Sequence, residues 1–290
     1  MARRLALLTY ESPQANLITD RVLSGCPGQV VGIVRSTATV AGKSTLGSAS
    51  FLARHTGLGF VGRKATEILA SRAAWEWGRL TGQPSAIPSL TDAAARRDVA
   101  LVAAADVNAP PILDVIRAWQ PDLLLSIYLN QRIRPALLRI PTLGALNVHG
   151  ALLPRNRGLF PYFWVLANGD HETGVTVHWV DEHFDTGDVV AQRAYAIRAD
   201  DTVETLAWSG AEIGAELLLD ALAQIDAGVA TRVPQHEAEA TYFSWPTRAD
   251  VARLRTRQRR YGSMLSGWRA VRGTRRGSGG TPTRIDLPSR

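Results

Sequence analysis

Apolar positions in this chain recur with two periods that alternate along its length. Residues 5–10 (LALLTY) form a short continuous apolar run, and Leu17, Ile18, Val22 and Leu23 then recur at the spacing of a helix face over 14–23. A turn at Pro27–Gly28 leads to a second run, VVGIV at 30–34. Regular alternation returns near residue 98. A strand is expected at 98–104, a helix opened by proline at 110–119, and a buried strand at 122–129. Further strands are expected at 144–149, 174–180 and 188–197, with helices at 161–169 and 202–225. Along 174–180, Val175, Val177 and Trp179 share one face, and Thr176 and His178 share the other. Strands alternating with helices predict an α/β protein. Its sheet is open, twisted and mostly parallel, with helices on both faces and a short irregular C-terminal extension.

The segment 41–95 breaks this rhythm with small, apolar and basic residues, and reads as a helical excursion within a domain spanning 1–235. Composition agrees with a packed core: 46% of the 290 residues are hydrophobic and 20% charged. No apolar run reaches 18 residues, so no membrane-spanning helix is expected. The apolar run after the first residues is too short for a secretory signal, and Cys26 has no partner for a disulfide. A cytoplasmic protein is the resulting expectation.

Charge is unevenly placed. The net is +7, yet the residues after 247 carry 12 arginines against Asp250 and Asp286, leaving the first 247 with 21 basic and 24 acidic groups. The basic character therefore belongs to the extension 236–290, expected to be partly helical to about 271 and disordered from about 273.

Two motifs invite chemistry without supporting it. GKST at 42–45 ends like a phosphate-binding loop, but the glycine such a loop needs five positions before Gly42 is Thr37. His171, His178 and His183 lack metal-ligand spacing and read as scattered surface histidines, so no metal is assigned. NVHGALLPRNRG at 147–158 is different. A strand carrying Asn147 and His149 points both side chains to one face, at the carboxyl edge where open α/β sheets place ligands. An amide donor beside an imidazole suits negative charge developing on an oxygen.

The continuous stretch 147–192 carries an N-x-H, an LLP-x-x-RG loop, an NG-x-x-x-TGVT turn and strand, and a D-x-x-x-DTGD ending at Asp188. In these motifs the chain resembles the formyltransferases that use 10-formyltetrahydrofolate. That family includes glycinamide ribonucleotide, methionyl-tRNA and sugar-amine formyltransferases. The match is good over 98–228, limited to strand–helix pattern over 1–40, and lacking over 41–95. The resemblance implies a Rossmann-like catalytic domain with Asn147, His149 and Asp185 as catalytic trio. It also implies a folate site lined by Ile127, Tyr128 and Leu129, closed by a loop bearing Asp181, His183, Phe184 and Asp188. Asn147 and His149 would stabilise the oxyanion formed when a primary amine attacks the formyl carbon. Asp185 would hold the protonation state of His149 and, through a water, pass the amine's proton toward the leaving nitrogen. Arg155, Arg157 and Tyr162 are the expected acceptor contacts, although Arg157 also suits a purely structural place in the loop motif.

The acceptor this reading favours is a small-molecule amine such as an amino sugar. ATYFSWPTRAD at 240–250 resembles the end of the family's catalytic core, and the 40 residues after it are too few for the C-terminal barrel of the initiator-tRNA members. Methionyl-tRNA formylation is the runner-up, supported by RLRTRQRR at 253–260, which suits phosphates. The pattern also admits a hydrolase of 10-formyltetrahydrofolate, or a non-catalytic protein recruited through its basic tail to nucleic acid or an anionic surface. A homodimer is left open as a partner arrangement.

Overall fold

The computed structural model describes residues 3–262, apart from 38, 41 and 84, together with the pair 283–284. Five strands run parallel in the order β3-β2-β1-β4-β5: β1 (Leu5–Tyr10), β2 (Val30–Ser36), β3 (Leu101–Ala104), β4 (Leu123–Ile127) and β5 (Gly144–His149). A two-residue strand, β6 (Arg157–Gly158), lies outside this sheet. The sheet continues antiparallel through β7 (Glu172–Trp179) and β8 (Val189–Ala196), while β9 (Tyr242–Phe243) pairs with β6. Thr283–Arg284 (β10) adds a short antiparallel edge to β8. The sheet is thus Rossmann-like and parallel in its first half, as the alternation predicts.

Because side chains alternate across the sheet, each strand feeds two cores. Leu5, Leu7, Leu123, Leu125, Leu146 and Val148 meet Ile18 of α1 (Pro13–Gly25) and Leu217 and Leu218 of the helix Val203–Asp226. Ala6, Leu8, Leu124 and Ala145 face the other way, against Leu113 and Ile116 of Pro110–Trp119 and Leu137 of Pro135–Leu138.

Local chemistry sets the helix ends. Ser12 caps α1, accepting from the Ala15 N–H, and Pro13 opens it. The excursion contains α2 (Thr45–Thr56), α3 (Leu58–Thr81) and α4 (Leu90–Ala95). Ser44 caps α2 by accepting from the Gly47 N–H, so GKST marks a helix start. The two opposite-face helices named above are α5 (Pro110–Trp119) and α6 (Pro135–Leu138), followed by α7 (Pro161–Asn168) and α8 (Val203–Asp226). Thr202 and Thr205 form a reciprocal capping box at the start of α8.

The arginine run also belongs to a packed element. α9 (Arg248–Thr256) buries Val251 and Leu254 against Phe163 and Trp164 of α7, so residues through 256 are built into the domain. A truncation starting at 251 would remove core side chains, and a test of the basic tail has to begin after 262. The disorder expected from about 273 falls mainly outside the described residues. Among the described residues, no helix is long and apolar enough to cross a membrane.

Candidate active site

The carboxyl end of β5 places Asn147 in register with His178 of β7, and His149 with Thr176. These four polar side chains share one side of the sheet, opposite Leu146, Val148, Val175 and Val177, which are in the α1/α8 core. Residues 150–158 and 181–188 close over that side. His149 Nε2 donates to the Asn156 carbonyl (2.8 Å), and Asn147 reaches Asp185.

Asp185 is the hub. Its Oδ2 accepts from the Gly158 N–H (2.8 Å) and lies 3.5 Å from His149 Nδ1; its Oδ1 lies 3.4 Å from His178 Nε2 and 3.3 Å from Asn147 Nδ2. Burial by itself raises the Asp185 carboxyl, but His149, His178 and the Gly158 N–H reverse that and hold it well below the usual carboxylate range. Its backbone takes a left-handed φ of 56°, and Gln235 Nε2 pins the loop through the carbonyls of Asp185 (2.9 Å) and Gly187 (2.8 Å).

Backbone carbonyls fix which ring nitrogen carries the resting proton. His149 uses Nε2–H on Asn156 O, which turns Nδ1 toward Asp185. His178 uses Nδ1–H on Trp179 O (2.7 Å), which turns Nε2 toward both Asn147 (3.1 Å) and Asp185. One carboxylate therefore sits between two imidazoles, each turning toward it the ring nitrogen that no backbone carbonyl holds. Such an arrangement can take up a proton and neutralise the resulting cation.

The depressed Asp185 carboxyl has a stability consequence. A group whose folded pKa lies below its unfolded value stabilises the fold above the unfolded value, about 3.9, and that contribution is lost as pH falls toward the folded one. Wild-type protein should therefore lose melting temperature faster than Asp185→Asn between about pH 5 and pH 3. Superimposable acid limbs for the two proteins would refute it.

Comparison with known proteins matches the model of the formyl transferase family to residues 74–222, half of the chain. The chain belongs to the formyl transferase family. It is 38% identical over 182 residues to methionyl-tRNA formyltransferase of Methylacidiphilum infernorum, covering 62% of this chain and 56% of that one. The chain spans about half the length of the curated relatives it matches. Among solved structures, glycinamide ribonucleotide transformylase 1 from Symbiobacterium toebii superposes with a TM-score of 0.55 at 18% identity, over 81% of this chain and 94% of that one. An N-formyltransferase from Helicobacter canadensis, crystallised with folinic acid and dTDP-3-aminofucose, superposes with a TM-score of 0.52 at 16% identity, over 82% and 70%. These superpositions speak for the fold.

Within this formyl transferase domain the expected site residues divide into two groups. Asn147, His149 and Asp185 come together. Leu129 is half-buried, and Phe184 is 43% exposed on the 181–188 loop, where His183 is exposed and Asp188 half-buried. Asp181 organises that loop, accepting from Thr186 Oγ1 (2.6 Å) and the His183 N–H (3.0 Å). Arg155 is exposed, 3.5 Å from Glu172.

Four of the expected site residues have side chains engaged elsewhere in the domain. Ile127 is fully buried in the α1/α8 core. Tyr128 turns inward to donate to the Ala207 carbonyl (3.2 Å), and burial pushes its hydroxyl up. Tyr162 is buried against Gly150 and Gly210, where an added Cβ would lie 2.4 Å and 1.8 Å from its hydroxyl. Arg157 is 5% exposed and committed to Glu237 (2.7 Å) and Gln235 (2.8 Å), so its guanidinium ties β6 to the chain after α8. Each terminal nitrogen of Arg157 already has an anionic or amide partner, which matches the structural place the loop motif also allowed.

His178 is the opposite correction. Read from sequence as a surface histidine, it is 2% exposed and part of the site. Its alternation with Val177 and Trp179 was a usable signal, since it faces the same way as Thr176. The anchoring role of Gln235 left no comparable trace.

Proposed function

We propose that this chain transfers the formyl group of 10-formyltetrahydrofolate to a primary amine on a small molecule such as an amino sugar. The observation that carries the proposal is the single buried carboxylate of Asp185 shared by His149 and His178, with the Asn147 amide beside it. The side chains around Asp185 suit the formyl donor. A flat heterocycle needs apolar walls and polar edges, which Leu129 just past the end of β4, Phe184 and the carboxylate-bearing 181–188 loop would supply. Leu129, His183, Phe184 and Asp188 would hold it, with Asp181 shaping the loop and Ile127 and Tyr128 contributing backbone alone. The donor supplies an activated formyl carbonyl.

The chain's own groups would do the rest. The Asn147 N–H donates to the negative charge that develops on the attacked oxygen, a role worth about a hundredfold or more in rate. His149 Nδ1, free of any backbone bond, accepts the proton of the attacking amine, and that proton passes on to the donor's departing nitrogen as its bond to the formyl carbon breaks. Asp185 neutralises the imidazolium so formed and is itself held ionised by the Gly158 N–H and His178. Arg155, exposed beside this loop, is the acceptor contact that stays in the proposal.

Methionyl-tRNA formylation is the second reading, favoured by the 38% identity to a methionyl-tRNA formyltransferase. Turnover with 10-formyltetrahydrofolate against a panel of amino sugars, biosynthetic amines and charged initiator tRNA separates the two. Small amines should be formylated, and 5-formyltetrahydrofolate should bind with a Kd of about 1 μM to tens of μM. Formylation of the tRNA alone, or release of formate without any formylated amine, would defeat the small-molecule reading.

A further inference from the structure

A second concavity lies between the first turns of α3 and the segment that follows α9. It has a volume of about 80 Å³, and its wall carries Arg63, Arg255, Arg259 and Arg260 with Phe60 and Tyr261. No aspartate or glutamate lines it. Arg63 donates to the Gly262 carbonyl, and Arg259 to those of Arg198 (2.6 Å) and Ala199 (2.7 Å), so two of the four guanidiniums are fixed in place. The Arg255 and Arg260 side chains are exposed and make no hydrogen bond or ion pair with a described residue. Tyr261 contributes its ring to the wall, packed edge-on to Phe60 at 5.1 Å.

Four guanidiniums around so small a space repel one another unless an anion sits among them. The start of α3 adds potential of the same sign, since its first turn has no acidic residue and Gly57 offers no side-chain cap. The narrow, arginine-lined space suits a compact tetrahedral oxyanion. Guanidinium forks are the donors such an oxyanion takes.

We propose that this arginine-lined cavity is a phosphoryl-binding site. It adjoins the catalytic pocket through one layer of rings: Phe60 lies 5.8 Å from Phe160, which is two residues beyond the Gly158 that holds Asp185. The phosphoryl group is carried by the amine acceptor or is free phosphate.

The test is calorimetric titration of inorganic phosphate into the full chain and into Arg255→Gln/Arg260→Gln, whose altered side chains bear no structural bonds. Wild type should bind saturably with a Kd of about 1 mM or tighter, and the variant at least about tenfold more weakly, with unchanged melting temperature and 5-formyltetrahydrofolate affinity. Absence of saturation by about 20 mM phosphate, or equal affinity in the variant, would overturn the site. This arm is independent of whether formyl transfer occurs. A second arm distinguishes the sources, using a phosphorylated amine and its unphosphorylated parent as acceptors. A KM raised in the variant only for the phosphorylated amine, with kcat unchanged, assigns the phosphate to the acceptor. Unmoved KM values alongside weakened phosphate binding assign the site to the free anion.

Discussion

Asp185→Asn is expected to lower kcat about a hundredfold or more while 5-formyltetrahydrofolate still binds. The replacement keeps the size of the side chain and the acceptor for the Gly158 N–H, but it removes the charge that faces both imidazoles at 3.4–3.5 Å. His149 would then have to carry a proton on Nδ1 in a buried place with no anion to neutralise it, which is the unfavourable half of any buried ion pair. The loss should appear in kcat rather than in donor affinity, because the carboxylate is needed when charge develops on the ring. Steady-state turnover and a folate titration on the same preparation check both halves. Wild-type kcat in this variant would move the proton-handling role away from Asp185 altogether.

Gly158→Ala is expected to be severely damaging for the addition of a single methyl. Gly158 has a φ of +95°, and a β-carbon there would lie 2.1 Å from the Phe243 carbonyl oxygen and 2.9 Å from the Tyr242 ring. Relief requires parting β6 from β9, and that movement takes the Gly158 N–H away from Asp185. Strain and steric overlap together should cost about 2–4 kcal/mol, lowering Tm by roughly 5–12 °C, and kcat should fall at least about tenfold. Gly57→Ala is the matched control. Its φ of +93° is nearly the same, but an added β-carbon meets nothing within 4 Å, so only the conformational cost applies and activity should persist. Equal losses for the two variants would show that backbone strain, rather than the β6–β9 contact, sets the effect.

Periodicity in the sequence was enough to place β1, β2, β5, β7 and β8 and the helices α1, α5, α7 and α8 to within a few residues. These elements bury one or both faces against the sheet, so their hydrophobic spacing is dictated by it. The strand expected at 122–129 is shorter, ending at Ile127, because Tyr128 takes a φ of +52° and turns its ring inward. No hydrophobic pattern encodes that reversal. The Asn147–His149 pair was legible for the same reason as the strand that carries it: alternate residues share a face.

What sequence could not supply is which partner each polar side chain finds. Arg155 and Arg157 stand two residues apart in one loop, yet the first is exposed and the second is buried against Gln235 and Glu237, some eighty positions later in the chain. His178 reads as one of several histidines until β7 pairs with β5 in the register that sets it opposite Asn147. The arginines at 253–260 read as part of a basic extension suited to phosphates until Val251 and Leu254 bury α9 on α7 and bring Arg255, Arg259 and Arg260 beside Arg63. Hydrophobic burial is non-directional and leaves a periodic trace along the chain, so it determined the α/β architecture and the strand bearing the site. Hydrogen bonds and ion pairs act over a few ångströms between residues far apart in sequence, so only tertiary structure decided which polar groups form the site and which hold it in place.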